Sequence, residues 1–307
     1  GASVAGGALL VGSAGGTPAQ GVAYGHNVTD YGADPTGVGD STLAFQNAIA
    51  AATGNGGHGG LVLVPPGHYR LNSTIDLPSY LSLLGPGTPH SAILDFSGQT
   101  SGSALRVTGF GHVRVAGLAI MGAAAHGIEV TSDNPQSYKN FCQFSDLYVF
   151  ESGVDGFHLS NTYMTTLERC WVKNAARFGF RCSGFHTSLK LDTCWADSCG
   201  NTGFNLNATV YSTLNNCGAD SNQSYGYFLS NCQSISMTGC GAEGNFYSSV
   251  GLAATDGWAA EKKAAEGDIR GITISSFFSL EGNKSGEAAF GSYLTLYTED
   301  SRLIEGS

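Results

Sequence analysis

The sequence predicts an all-β fold, a single-stranded right-handed parallel β-helix with three short strands in each rung of about 23 residues and a capping α-helix at its N-terminal end. The first observation behind this is a Gly-aromatic motif: GFHL at 156, GFRC at 179, GFNL at 203 and GYFL at 226 recur at intervals of 23, 24 and 23, with GIEV at 127 as a looser member. The second is a Cys motif in the same register, with CWVKN at 170, CWADS at 194, CGADS at 217 and CGAEG at 240. The third is an alternating apolar-polar element before each Cys motif: TTLERC, SLKLDTC, YSTLNNC and SISMTGC, and GITISSF from 271 after an interruption. Three alternating segments per repeat, bounded by Gly, Asn, Ser or Asp, are strands and turns. Leucine-rich repeats have a similar length, but their fixed leucine pattern is missing. Successive rungs lie ~4.8 Å apart, so equivalent residues stack in columns.

The start of such a solenoid has to be shielded. Residues 40–52, DSTLAFQNAIAAA, offer an Asp or Ser N-cap followed by Leu43, Phe45, Ala48, Ile49 and Ala52 at roughly helical spacing. GGLVLVPPGHYRL then gives a strand and a Pro-Gly turn. A helix over the open end satisfies the first rung, as terminal units of repeat proteins must.

The chain divides into an arm at 1–25, the β-helix at 26–300 and a tail at 301–307. The arm begins GASVAGGALLVGSAGGTPAQ, small-residue-rich and uncharged. It reads as the back end of a secretory leader of the twin-arginine kind, or as a linker. The segment at about 254–268 breaks the period with Ala, Glu and Lys and carries Trp258, which predicts a loop inserted on one face. The 45 glycines fit many tight turns. A net charge of −10 argues against a nucleic-acid backbone or an anionic membrane as partner, and no apolar run reaches the ~18 residues of a membrane span.

The string VTDYGADPTGVGDSTLAFQNAIAAA, followed by GGLVLVPPGHYRL and the rungs, resembles the pectate-lyase-like superfamily, which includes rhamnogalacturonase-like enzymes, mannuronan epimerases and phage tailspike depolymerases. The resemblance implies polysaccharide chemistry. Its opening motif is structural, however, and the catalytic strings of polygalacturonases and epimerases are missing; SGVDGFH at 152–158 is a faint echo of the latter.

Columns carry the candidate sites. Cys170, Cys194, Cys217 and Cys240 share the inward side with Val172, Ala196, Ala219 and Ala242. Free Cys behaves there as a small hydrophobe. A zinc site would need ligands converging on a tetrahedron rather than on a line, and a disulfide between rungs ~4.8 Å apart is within Cα range. Outward, one column runs Tyr148, Trp171, Trp195, Gly218, Gly241, and the next Phe150, Lys173, Asp197, Asp220, Glu243. Sugars bind on aromatic faces, and carboxylates do the acid-base work on glycosidic bonds. Asp197, Asp220 and Glu243 are therefore the candidate catalytic residues. Neighbouring rungs place Asp197 and Asp220 at roughly 5 Å, the separation of a retaining pair, and Asp197 and Glu243 at roughly 10 Å, near the limit of an inverting one. Like charges this close share a proton, recruit a cation or splay apart.

Trp171, Trp195 and Lys173 are candidate substrate contacts. A second outward column, Glu129, His158, Arg181, Asn205 and Phe228, adds His158 and Arg181 for a charged sugar, and a third face offers Glu168 and Asp192 beside Lys190. A hydrolase here needs no cofactor; a lyase version would hold Ca²⁺ on the stacked carboxylates, with Lys173 or Arg181 as base. The eight His show no ligand spacing, so no metal site is expected. The carboxylates equally fit turn residues at strand ends, and the aromatic column a trimer contact. The expected function is a polysaccharide-degrading enzyme, glycosidase or lyase, working outside the cell. The alternatives are a tailspike-type homotrimer on a virion and a non-catalytic carbohydrate-binding β-helix.

Overall fold

Alternation along each strand sends every second side chain into one shared interior, and the computed structural model shows the result as a right-handed parallel β-solenoid of about eight turns. The structure describes residues 25–54, 59–131, 139–254, 269–280 and 292–298. The arm, the tail and nearly all of the inserted segment with Trp258 lie outside them. Every pairing between the strands described is parallel and runs from one rung to the next, as in Trp171–Trp195–Gly218–Gly241 and His158–Arg181–Asn205–Phe228. The register is the one set by the two sequence motifs.

The interior is organised by those motifs. Phe157, Phe180, Phe204 and Tyr227 stack with centroids 5.2, 4.7 and 4.8 Å apart and ring planes within 14°. Each is fully buried, and the stack adds ring-on-ring contact to the burial of four large side chains. The Cys column is buried as expected, and all eight cysteines are free thiols. The Cys strands end on residues with left-handed backbone, Glu151, Asn174, Ser198 and Ser221, at φ 54–57°. Each such residue donates its N–H to the last carbonyl of the strand above, for example Ser198 N to Asp220 O at 2.9 Å. Just beyond, buried Asn222 accepts from Cys199 N at 3.0 Å and donates to Asn245 Oδ1 at 2.8 Å. This asparagine ladder satisfies the turn and fixes where the outward acids stand.

The cap helix spans Thr42–Thr53 and buries Phe45, Ala48, Ile49 and Ala52 over the first rung, with Phe45 edge-on to Tyr69 at 5.6 Å. Leu43, expected to face inward, is 67% exposed, and Ala44 is buried in its place: two residues before Phe45, Leu43 stands about 200° around the helix from it, whereas Ala44 shares the stripe of Phe45, Ala48, Ile49 and Ala52. Ser41 is the N-cap residue, yet its hydroxyl accepts from Asp34 N instead of capping, and Asp40 Oδ1 takes the N–H of Thr42. Asp34 accepts from the hydroxyl and N–H of Thr36 and from Gly39 N, and these bonds hold its pKa at about 2. The opening motif is thus used up in shaping the cap.

Candidate functional site

The outward columns of the Cys face converge on a hollow of about 450 Å³ lined by Arg169, Cys170, Trp171, Thr193, Trp195, Asp197 and Asp220. Its rings come from strands Thr166–Lys173 and Trp195–Asp197, where the side chain following each buried Cys has to point out. Trp171 and Trp195 are 42% and 46% exposed. The Trp195 ring leans over the rung above, where a Cβ on Gly218 would lie 2.4 Å from it. Glycine is required there by that approach. Below, Tyr148 lies 5.0 Å from Trp171, and His90, from a short 3₁₀ turn, lies 4.7 Å from Tyr148, so the aromatic platform extends down the solenoid. His90 has no place in the repeat and could not be found by counting rungs.

The acid column is not a bare stack of like charges. Lys173 Nζ binds Asp197 Oδ2 at 2.9 Å and stands 5.9 Å from the Trp171 ring. Asp197, in turn first, holds the Lys173 ammonium above its usual range by hydrogen bond and charge. Asp197 Oδ1 accepts from Ser198 Oγ at 2.6 Å, and Asp220 Oδ1 from Ser221 Oγ at 3.0 Å. The hydroxyls come from the left-handed corner residues, so the turn that ends each strand also orients its acid. Lys173 is therefore committed to Asp197 and is not a free base. Glu243, one rung above Asp220, is exposed and does not line the hollow. On the third face, Arg169 binds Asp146 through two nitrogens at 2.6 and 2.9 Å and also contacts Glu168, while Lys190 pairs with Asp192 at 3.0 Å. Those acids are spent on one another's cations.

The five candidate substrate contacts do not form one site. His158 and Arg181 lie on strands Phe157–Tyr163 and Phe180–Thr187, across the turn from Trp171, Trp195 and Lys173. There they meet residues that sequence reading missed. Asp155, fully buried, takes Arg177 Nε and Nη2 at 2.8 Å each, and His126 Nδ1 stands 3.2 Å away. Burial alone would raise the Asp155 pKa; the bonds from Arg177 and the closeness of His126 win and hold it far below the carboxylate range. His126, Asp155 and Arg177 occupy turns, outside the strand columns. The one sequence signal was Arg177 standing 22 residues after Asp155, close to one rung.

A family model described as rhamnogalacturonase A/epimerase, pectate lyase-like, matches residues 25–245. The chain belongs to this family. Its fold recurs in the enzymatically active domain of tailspike protein 2 of bacteriophage CBA120, at 15% identity and TM-score 0.61, with 94% of this chain and 48% of that one covered. It recurs in ORF18 of Geobacillus virus E2 (15%, 0.55, 90% and 61%) and in the A-module of the mannuronan C-5 epimerase AlgE6 of Azotobacter vinelandii (17%, 0.51, 90% and 100%). At these identities the likeness is one of fold. The chain spans about half of the tailspike domain and about three fifths of the virus protein. Sequence comparison with curated proteins gives no match. Members of the pectate lyase-like family share the solenoid, so the outward residues of each chain have to supply its chemistry.

Proposed function

We propose that the chain is a polysaccharide-degrading enzyme that lays a glycan on Trp171 and Trp195 and cuts it at Asp197 and Asp220. The observation that carries this reading is the hollow itself, in which two exposed tryptophans stand beside two carboxylates from neighbouring rungs. Rungs ~4.8 Å apart give those carboxylates the separation that retaining glycoside hydrolysis uses. The ion pair with Lys173 divides their work. Asp197, held by Lys173 and Ser198, faces the anomeric carbon as the nucleophile; Asp220, which forms no ion pair among the described residues, delivers the proton to the leaving oxygen. The tryptophan faces hold the sugar ring in reach, and Gly218 leaves room above Trp195. A hydrolase fits better than a lyase here, because the cation at the acid column is already Lys173, which leaves neither a free base nor a bare carboxylate stack for Ca²⁺.

The family and the fold of the phage tailspike domain support polysaccharide as the substrate class and a place of work outside the cell or on a virion. The test is degradation of a panel of neutral and uronic acid polysaccharides. New reducing ends without unsaturated-product absorbance, lost in Asp220→Asn, are expected. Binding without cleavage of any polymer would leave a carbohydrate-binding solenoid and remove the enzyme.

A further inference from the structure

We infer that His126, His158 and Arg181 form a second binding site, separate from the tryptophan hollow, for an oxyanion group: a carboxylate, sulfate or phosphate. The argument starts from who already has a partner. Asp155 Oδ1 accepts from Arg177 Nε and from Phe178 N, at 2.8 and 3.2 Å, and Oδ2 from Arg177 Nη2 at 2.8 Å. Arg177 is thereby spent. Arg181 is not: its Nη1 is 3.7 Å from Asp155 Oδ2, beyond hydrogen-bond reach, and its guanidinium stands 5.8 Å from the Phe178 ring with 28% of the side chain exposed. A guanidinium carries five donors in a planar fork suited to oxyanions, and this one makes no hydrogen bond among the described residues.

The imidazoles add two more unmet groups. Their centroids are 4.5 Å apart. His158 Nε2 is 2.9 Å from Ser183 Oγ, and its Nδ1 is buried without a partner. His126 Nδ1 is also buried and makes no hydrogen bond; it stands 3.2 Å from Asp155 Oδ2, an ion pair when the ring is protonated. Burial, then the charges of His126 and Arg181, hold the His158 pKa down at about 4, so its ring is neutral, and in the tautomer whose Nε2 accepts from the Ser183 hydroxyl it offers an Nδ1–H. Unpaired buried donors beside an under-paired guanidinium are what a missing acceptor leaves behind.

His126, Asp155 and His158 also bring three metal-ligating side chains within 4.8 Å. Two features decide against a cation. The oxygens of Asp155 already accept from Arg177 and Phe178, and a metal there would face two guanidinium charges across a desolvated gap. Glu129, on the rung below His158, is the one further acid nearby; its oxygens are held by Ser103 and Thr131 at 2.6 and 3.0 Å. The site rests on the glycan reading only for the origin of the anion, which would be an acidic sugar or substituent of the bound polymer rather than a free ion.

Titration of the full chain with sodium sulfate, inorganic phosphate and glucuronate, followed by calorimetry, tests this. Saturable binding is expected, weakened at least tenfold in Arg181→Gln and in His158→Gln, with the binding of sulfate and phosphate unchanged in Trp195→Ala and the circular dichroism of each variant native. Tighter binding of glucuronate than of the inorganic ions would place the anion on a sugar, and the reverse order would make it a free or esterified oxyanion. Absence of saturable binding, or equal binding in Arg181→Gln, would overturn the site. So would Zn²⁺ binding that depends on His126 and His158 and exceeds that of every anion. Because Trp195→Ala leaves this readout alone, failure of the glycan hollow and failure of the anion site are separable.

Discussion

Trp195 lies across the Cα of Gly218, the residue paired with it on the next rung, so closely that a methyl group there would sit 2.4 Å from the indole. The ring is thus positioned by what the rung above lacks. Gly218→Ala is expected to push Trp195 off its face and weaken glycan binding tenfold or more, while costing about 1–3 kcal/mol of stability by overpacking. Binding by affinity electrophoresis, set against thermal unfolding, separates the two effects. Glycan affinity equal to wild type would show that the ring orientation does not matter.

The acid pair gives a second expectation. Asp220→Asn should abolish turnover with glycan affinity and melting temperature close to wild type, since Asp220 accepts one hydroxyl at its strand end and forms no ion pair among the described residues. Lys173→Met should lower kcat through Asp197 while leaving the melting temperature close to wild type, since the pair lies at the surface. Steady-state kinetics with melting curves measures both. Undiminished turnover in Asp220→Asn would take the acid column out of the reaction.

Acid stability follows from two depressed carboxyls. The folded pKa of Asp34, about 2, lies below the ordinary 3.8, and Asp155 is depressed further. Groups with lowered folded pKa values stabilise the protein above the unfolded value, and that contribution is lost as pH falls through the folded one. The melting temperature should therefore drop steeply between pH 4 and pH 2. Asp155→Ala leaves Arg177 without its carboxylate and is expected to cost about 3–5 kcal/mol at neutral pH. A flat melting temperature down to pH 2 would mean that neither carboxyl is linked to folding.

Thiol chemistry provides the fourth test. Burial pushes the Cys142 thiol up to about 11 and those of Cys199 and Cys232 to about 12. Because each is no more than 2% exposed, all eight cysteines should be silent toward a thiol reagent at pH 8 in the native protein and reactive in guanidinium. Mass spectrometry after timed labelling counts them. Fast labelling of any member of the Cys170–Cys240 column would contradict an enclosed interior.

Much of this architecture was legible because a parallel solenoid converts sequence period directly into register. The phase of the two motifs sufficed to turn Cys170, Cys194, Cys217 and Cys240 inward and to bring Trp171 and Trp195 beside Asp197 and Asp220. Three things escaped it, each for a physical reason. On the cap helix the apolar stripe runs through Ala44, Phe45, Ala48, Ile49 and Ala52, so Leu43, two residues from Phe45, falls on the outer side. The Lys173–Asp197 pair escapes because its members stand one rung apart, and a column of side chains does not announce which members pair. His126, Asp155 and Arg177 belong to turns, where insertions break the period and neighbours in space are not neighbours in the count.

Parallel pairing of every rung with the next has a consequence for how such a chain diversifies. Copying one unit of about 23 residues adds a storey without disturbing the hydrogen bonds of those already built, and it lengthens the outer platform by ~4.8 Å, about the length of one sugar ring. Exchanging Gly for Trp in a single outward column, as between positions 195 and 218, adds or removes a contact while the interior stays as it was. On the proposed glycan reading, specificity is spelled in a short vertical alphabet, and its history can be rewritten one storey at a time.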